Sequence, residues 1–201
     1  MITRLLFTTA LALALAFSPA LAGQHVIDPA HTTVGFAVKH LVISNVQGKF
    51  DKFEGGFVLD DKGELSGVTA SIDAASINTA IKDRDDHLRS PDFLDVAKFP
   101  TLTFVSKKVT RKGNTYAIAG DLTIRGVTKP VTLNAELLGR VKDPWGFMRA
   151  GFHAETVINR KDFGANFHKV LEAGGLVVDD MVKIALDVEG ILQQPAAEAK
   201  K

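Results

Sequence analysis

The chain has 201 residues, close to half of them hydrophobic, with 24 Lys and Arg against 23 Asp and Glu and no cysteine. That length suits one domain with a sizeable core. The balance of charge leaves no basic footprint for nucleic acid and argues against an anionic membrane surface as the main partner, and the missing cysteines exclude thiol chemistry, disulfides and Cys-ligated metal.

The first 22 residues read as a secretory signal. Arg4 is their one cation, Leu5 to Phe17 carries no charge, and Ala20 and Ala22 supply the small-residue pair that a signal peptidase accepts. The apolar run falls short of the roughly 20 residues needed to span a bilayer. Cleavage after Ala22 predicts a periplasmic chain beginning at Gly23, with no integral membrane span remaining.

The rest reads as strands of period two. Val34, Phe36 and Val38 share one face, as do Phe53, Gly55, Phe57 and Leu59. Asp60 to Glu64 is a turn signal, and Val68, Ala70 and Ile72 resume the alternation. From Asn78 to Pro100 the pattern changes. Ala80, Asp83, Arg84, His87 and Leu88 are spaced for a helix, and Ser90-Pro91 leads into a short turn through Phe93 and Leu94. Strands return at Leu102 to Val109, then from Tyr116 to Ile124, from Val131 to Leu137, from Phe152 to Ile158 and from Val182 to Val188. Residues 193–201 are polar and Ala-rich, the composition of a disordered tail. The expected fold is all-β: an extended, lipocalin-like, antiparallel eight-stranded β-barrel with a short helical insertion, spanning residues 23–192.

The set predicted to face inward and bind an apolar ligand is Phe36, Val38, Phe57, Ile72, Phe104, Ile118, Leu122, Leu133, Phe152, Ile158, Ile184 and Leu186. Phe104 competes for the inner side with Val105 and Val109. Gly55, Ala70, Gly120, Ala135 and Ala154 also fall on inward positions, where small residues either leave room or pack against bulky partners.

The polar residues carry less. The chain has no H-E-x-x-H, no G-x-S-x-G and no phosphate-binding glycine loop. Its six histidines show no metal-ligand spacing, so no metal or cofactor is expected. Asp83 to His87 is the densest polar cluster, either an acid/base site or a solvated helix face. Arg160 either holds an anionic head group or braces a turn by pairing with Asp162. Arg84, His87, Arg160, His31 and Asp162 are the residues expected around a polar head at a barrel mouth.

Several motifs occur in order along the chain: His87-Leu88-Arg89-Ser90-Pro91-Asp92-Phe93-Leu94 leading to Lys98-Phe99-Pro100-Thr101, Gly120 to Val131, Asp143-Pro144-Trp145-Gly146 with Arg149-Ala150-Gly151-Phe152, Lys161-Asp162-Phe163, and Val188-Glu189-Gly190. Together they resemble the YceI family of polyisoprenoid-binding, lipocalin-like proteins. The resemblance implies an eight-stranded barrel with a helical insertion, a long isoprenoid or similar lipid lying inside it, and no catalysis. It leaves a homodimer open. Residues 165–169 and 172–175 belong to a variable stretch, onto which no ligand contact carries over. The alternative function is an enzyme modifying such a lipid at a polar cluster by the mouth.

Overall fold

The computed structural model describes residues 23–170 and 176–193; the signal segment and residues 194–201 of the tail lie outside the described residues. The strands are β1 (Gln24–Ile27), β2 (Thr33–His40), β3 (Ser44–Phe50), β4 (Phe53–Leu59), β5 (Leu65–Asp73), β6 (Ile77–Asn78), β7 (Thr101–Lys112), β8 (Thr115–Ile124), β9 (Val127–Lys142), β10 (Met148–Asn159) and β11 (Val178–Leu192). Among the described residues one α-helix, α1 (Lys82–Arg89), interrupts them.

Every pairing is antiparallel, and β1 pairs with β11 to close the sheet. The 11 strands form eight staves, because three staves are broken. β1 and β2 lie end to end along β11, β3 and β4 lie end to end along β2 and β1, and β5 and β6 continue one another along β4 and β3. The breaks fall at polar or turn-forming residues. Asp28 accepts from Ala30 N–H, and Asp73 accepts from Ala75 N–H, each turning the chain locally.

The alternation that marks the strands also sorts their side chains. In β8, Tyr116, Ile118, Gly120, Leu122 and Ile124 are buried, whereas Thr115 and Ala117 are exposed. β7 resolves the competition around Phe104 through a bulge between Ser106 and Lys108. The extra residue flips the face, so Phe104 and Val109 both turn inward while Val105 stays half exposed.

The two ends of the barrel differ. At one end the turns 60–64, 112–114 and 143–147 surround a packed plug. Leu59 is 2% exposed. Tyr116 stacks edge-on against Phe152 at 5.7 Å, Phe152 meets Phe57 at 5.2 Å, and the Tyr116 hydroxyl donates to Gly63 O at 2.8 Å. Arg111 donates to Lys62 O, and Arg140 to Asp60 O and Asp61 O, so two guanidinium groups hold the turn over the plug.

At the other end the helical insertion lies across the opening. Arg89 donates to Ala75 O and Ile77 O, each at 2.7 Å. Arg125, in the tight β8–β9 turn, donates to Pro91 O and Phe93 O. The insertion is tied to the barrel by carbonyls rather than by a continuous strand. It presents Leu88, Phe93 and Leu94 to the interior.

Candidate functional site: an apolar tunnel closed at one end

Above the plug the interior does not fill. A middle chamber of about 140 Å³ lies among Phe53, Phe57, Ala70, Ile72, Phe104 and Leu186. An outer chamber of about 140 Å³ lies under the insertion, among Val38, Leu88, Phe93, Ile158, Phe163 and Val178. The two share Phe36, Phe50, Leu102, Ile124 and Ile184 in their walls. The Phe36 and Phe50 rings stand 5.9 Å apart at this junction. Each chamber alone has room for about one benzene-sized group. A longer guest must pass the Phe36–Phe50 constriction and shift rings as it does so.

Of the small inward residues, only Ala70 borders this space. A methyl on Gly120 would sit 2.6 Å from the Phe104 ring, and one on Gly55 would sit 2.2 Å from Thr69 O, so both glycines permit close packing. Ala135 and Ala154 belong to the buried core.

The sequence-derived inward set divides by depth. Phe57, Ile72, Phe104, Leu122, Leu133 and Leu186 border the middle chamber. Val38 and Ile158 border the outer one, and Phe36 and Ile184 border both. Ile118 and Phe152 face inward too, but they sit in the packed region and line neither chamber. Sequence reasoning missed Leu102, Ile124 and Val182, which are the next same-face positions toward the mouth after Phe104, Leu122 and Ile184. It also missed Phe50, Phe93 and Phe163. Phe50 ends a strand with weak alternation, and the other two lie on turns, where periodicity gives no signal.

The polar candidates do not form one cluster. Arg160 is buried and enters the wall of the outer chamber. Its guanidinium donates to Asp179 O at 2.9 Å, Ala165 O at 2.6 Å, Val178 O at 3.3 Å and the Asp180 carboxylate at 2.8 Å. The expected Arg160–Asp162 brace is therefore corrected: Asp180 takes the place of Asp162, which points to solvent. A four-residue 3-10 turn, Arg160–Phe163, separates the two side chains and turns Arg160 inward. Burial lowers the affinity of Arg160 for its proton, and the Asp180 charge opposes that.

Arg84 braces the insertion, donating to the Thr79 hydroxyl and Thr79 O. His87 sits at the outer surface of the mouth. Its ring meets Phe93 and Phe167 edge-on, and Nε2 lies 2.9 Å from Asp92. Of the Asp83–His87 cluster, Asp85 is buried and accepts from Thr79 N–H and its hydroxyl, and Asp86 pairs with Lys82 and Arg89. These contacts account for the cluster as a brace.

His31 lies toward the packed end, 2.9 Å from Asp28. Asp28, His31 and Glu189 bring potential ligand atoms within 4.8 Å of one another. However, Arg149 already supplies the cation there, bonding Asp28 at 2.8 Å, Glu189 at 2.5 Å and Asp143 at 2.7 Å. The hydrogen bonds from His31 and Arg149 hold the Asp28 carboxyl down to about 2.

Comparison with known proteins sets this geometry in a family. Residues 25–190 match the YceI-like domain. The chain belongs to the YceI family. It is 42% identical over 193 residues to UPF0312 protein plu2095 of Photorhabdus laumondii, covering 94% of this chain and 97% of that protein. It is 41% identical over 191 residues to protein YceI of Salmonella newport, covering 94% of each. Among solved structures, the Campylobacter jejuni YCEI protein superposes with a TM-score of 0.69 at 34% identity, over 83% of this chain and 96% of that one. A polyisoprenoid-binding domain from Saccharophagus degradans, implicated in plant cell wall breakdown, shares the fold with a TM-score of 0.61 at 18% identity, over 86% of this chain and 99% of that one. The tunnel of this chain thus sits in a YceI barrel, and no helix among the described residues is long and apolar enough to cross a membrane.

Proposed function

We propose that the chain is an exported binding protein that holds the hydrocarbon tail of a long isoprenoid or similar amphiphile in this tunnel, for carriage, storage or scavenging. The observation that carries the reading is the asymmetry of the interior: an apolar tunnel stopped by a packed plug at one end and bordered by the insertion at the other. Such a space takes a tail and leaves its head at the mouth. Each methylene removed from water contributes about 0.8 kcal/mol, less the cost of ordering the chain. The binding of polyisoprenoid by the Saccharophagus domain supports the choice of guest.

Arg160 is the group beside the head. Four of its N–H groups are engaged, out of the five a guanidinium offers, and the fifth, which has no partner among the described residues, can donate to a phosphate or carbonyl oxygen. The N-terminal pattern supports export to the periplasm, and the secreted chain is expected to begin at Gly23.

Organic extraction of protein purified from its native host, followed by mass spectrometry, tests the reading. A long-chain lipid at stoichiometric yield is the expected result. Protein that neither carries such a lipid nor takes one up when offered overturns it.

A further inference from the structure

The turn between β2 and β3 is made of residues that its geometry disfavours. Ile43 N–H donates to His40 O at 3.2 Å, and both residues between them stand at positive φ, Leu41 at 51° and Val42 at 67°. Asn-Gly is the favoured pair for such a turn, and a β-branched residue there is an outlier. These side chains gain little burial in return: Val42 is 57% exposed and Ile43 is 86% exposed. Folding alone does not account for three large apolar residues at this tip.

The tip stands at the mouth. Val38, two residues before His40, and Val178, which pairs with His40, both border the outer chamber. Leu41 N–H donates to Val177 O, and Val177 N–H donates to Lys169 O, which brings exposed Val170 alongside. Charge is segregated here. Residues 37–50 and 163–170 contain Lys39, Lys49 and Lys169 and two histidines, His40 and His168, but no acid. Lys39 and Lys169 form no salt bridge among the described residues, whereas Lys49 is paired with Asp51 and nearby Asp180 with Arg160 and Lys161; the other acid beside Val178, Asp179, accepts from Met181 N–H. The overall balance of charge conceals this local excess.

We infer that the tip docks the mouth onto an anionic lipid bilayer: Val42, Ile43 and Val170 enter the interface, and Lys39 and Lys169 face the phosphates. The mouth then opens against the surface from which an amphiphile is taken up or to which it is returned. The purpose of docking rests on the lipid-holding function proposed above, but docking itself can be measured on empty protein.

A second apolar patch lies at the packed end, where Trp145 is 77% exposed. Its turn is locally well made: Asp143 accepts from Trp145 N–H and Phe147 N–H, and Gly146 takes the positive φ. It is remote from the tunnel and serves as the control.

Delipidated protein is sedimented with phosphatidylcholine vesicles, with and without phosphatidylglycerol. The protein is expected to bind, and more strongly when phosphatidylglycerol is present. Replacing the tip (Leu41→Asn, Val42→Gly, Ile43→Ser) should reduce vesicle partitioning at least about tenfold. The same variant should melt no lower than the parent and still take up a fluorescent long-chain lipid in vesicle-free solution. Lys39→Glu with Lys169→Glu should weaken binding to anionic vesicles alone. Trp145→Ser should change nothing. Ile43→Ser alone provides the reading if the triple variant misfolds. Docking is overturned if the parent fails to bind vesicles, if the tip variants bind as the parent does, if Trp145→Ser abolishes binding, or if the tip variants alter only self-association. Vesicle binding that persists in a protein unable to take up lipid overturns the proposed ligand and leaves docking standing.

Discussion

The same staves build both ends of the barrel, yet one end is solid and the other hollow. At the packed end Leu59, Tyr116, Ile118 and Phe152 interlock, and Arg111 and Arg140 clamp the covering turn through its carbonyls. At the mouth the bulky residues stand apart around two chambers, and the cover is an insertion tied down by Arg89 and Arg125 and braced within itself by Arg84. Packing density, rather than hydrophobicity, distinguishes the two. Stability and binding are therefore separable along the barrel axis, and substitutions should sort by depth.

The largest expected effect is at the plug. Leu59→Ala should cost about 2–5 kcal/mol of stability, because the side chain is almost fully buried and its packed surroundings relax only partly into the void. Denaturant unfolding measures the loss, and the affinity of the remaining folded protein for lipid should stay near that of the parent. A comparable loss of affinity would show that the plug shapes the tunnel as well as closing it.

Arg160→Ala ranks next, at about 3 kcal/mol, because it leaves three carbonyls without their donor and removes one of the two cations paired with Asp180, Lys161 being the other. A head-group role adds a second signature. Affinity for a phosphorylated isoprenoid should then fall more than affinity for the matching alcohol. Equal losses for the two ligands would leave Arg160 a brace only.

Ala70→Phe should sharpen the contrast from the other side. It fills the middle chamber, and it should weaken a long-chain guest by about tenfold while a short one confined to the outer chamber keeps its affinity. Its effect on the melting temperature should be small beside that of Leu59→Ala. Equal loss of short and long guests would mean that the chambers do not act in series.

Much of the fold was legible because period two is a strong signal in strands with one buried face. Phe57, Leu122 and Ile184 declare their side by alternation alone. Depth was not legible. Alternation places Ile118 and Leu122 on one face without saying that the first belongs to the plug and the second to a chamber wall. The broken staves were hidden for a related reason: β1 and β2 look like separate strands until β11 is seen to pair with both. Among the polar residues, Arg160 stood out in the sequence, but its partner Asp180 lies on β11, beyond residues that carry no pattern. Proximity in sequence suggested Asp162 instead. The change of spacing after Asn78 announced the insertion, whereas the kind of guest is carried by the family resemblance and not by periodicity.

The smallest effect contrasts buried and exposed histidines. His25 is buried at the packed end, stacked on Phe57 at 4.8 Å, with Nδ1 2.7 Å from Gly23 O. Burial lowers its pKa below 6.5, partly offset by the hydrogen bond to Gly23. The unfolded chain therefore takes up this proton before the folded chain does, and His25 makes the protein less stable as pH falls through about 6.5. His153 lies on the outer wall between Asp187 and Glu155, whose hydrogen bonds raise its pKa. The folded chain takes up that proton first, so His153 contributes stability that is fully present below about 6.5 and is lost as pH rises through its raised folded value. The two slopes oppose each other in the parent protein, and single variants separate them. In melting curves taken between about pH 5.5 and 7.5, His25→Phe should make acidification less destabilising and His153→Gln should make it more so. A pH profile that His25→Phe leaves unchanged would mean that the ring at the packed end reaches water when it titrates, and the plug would then be looser than its contacts indicate.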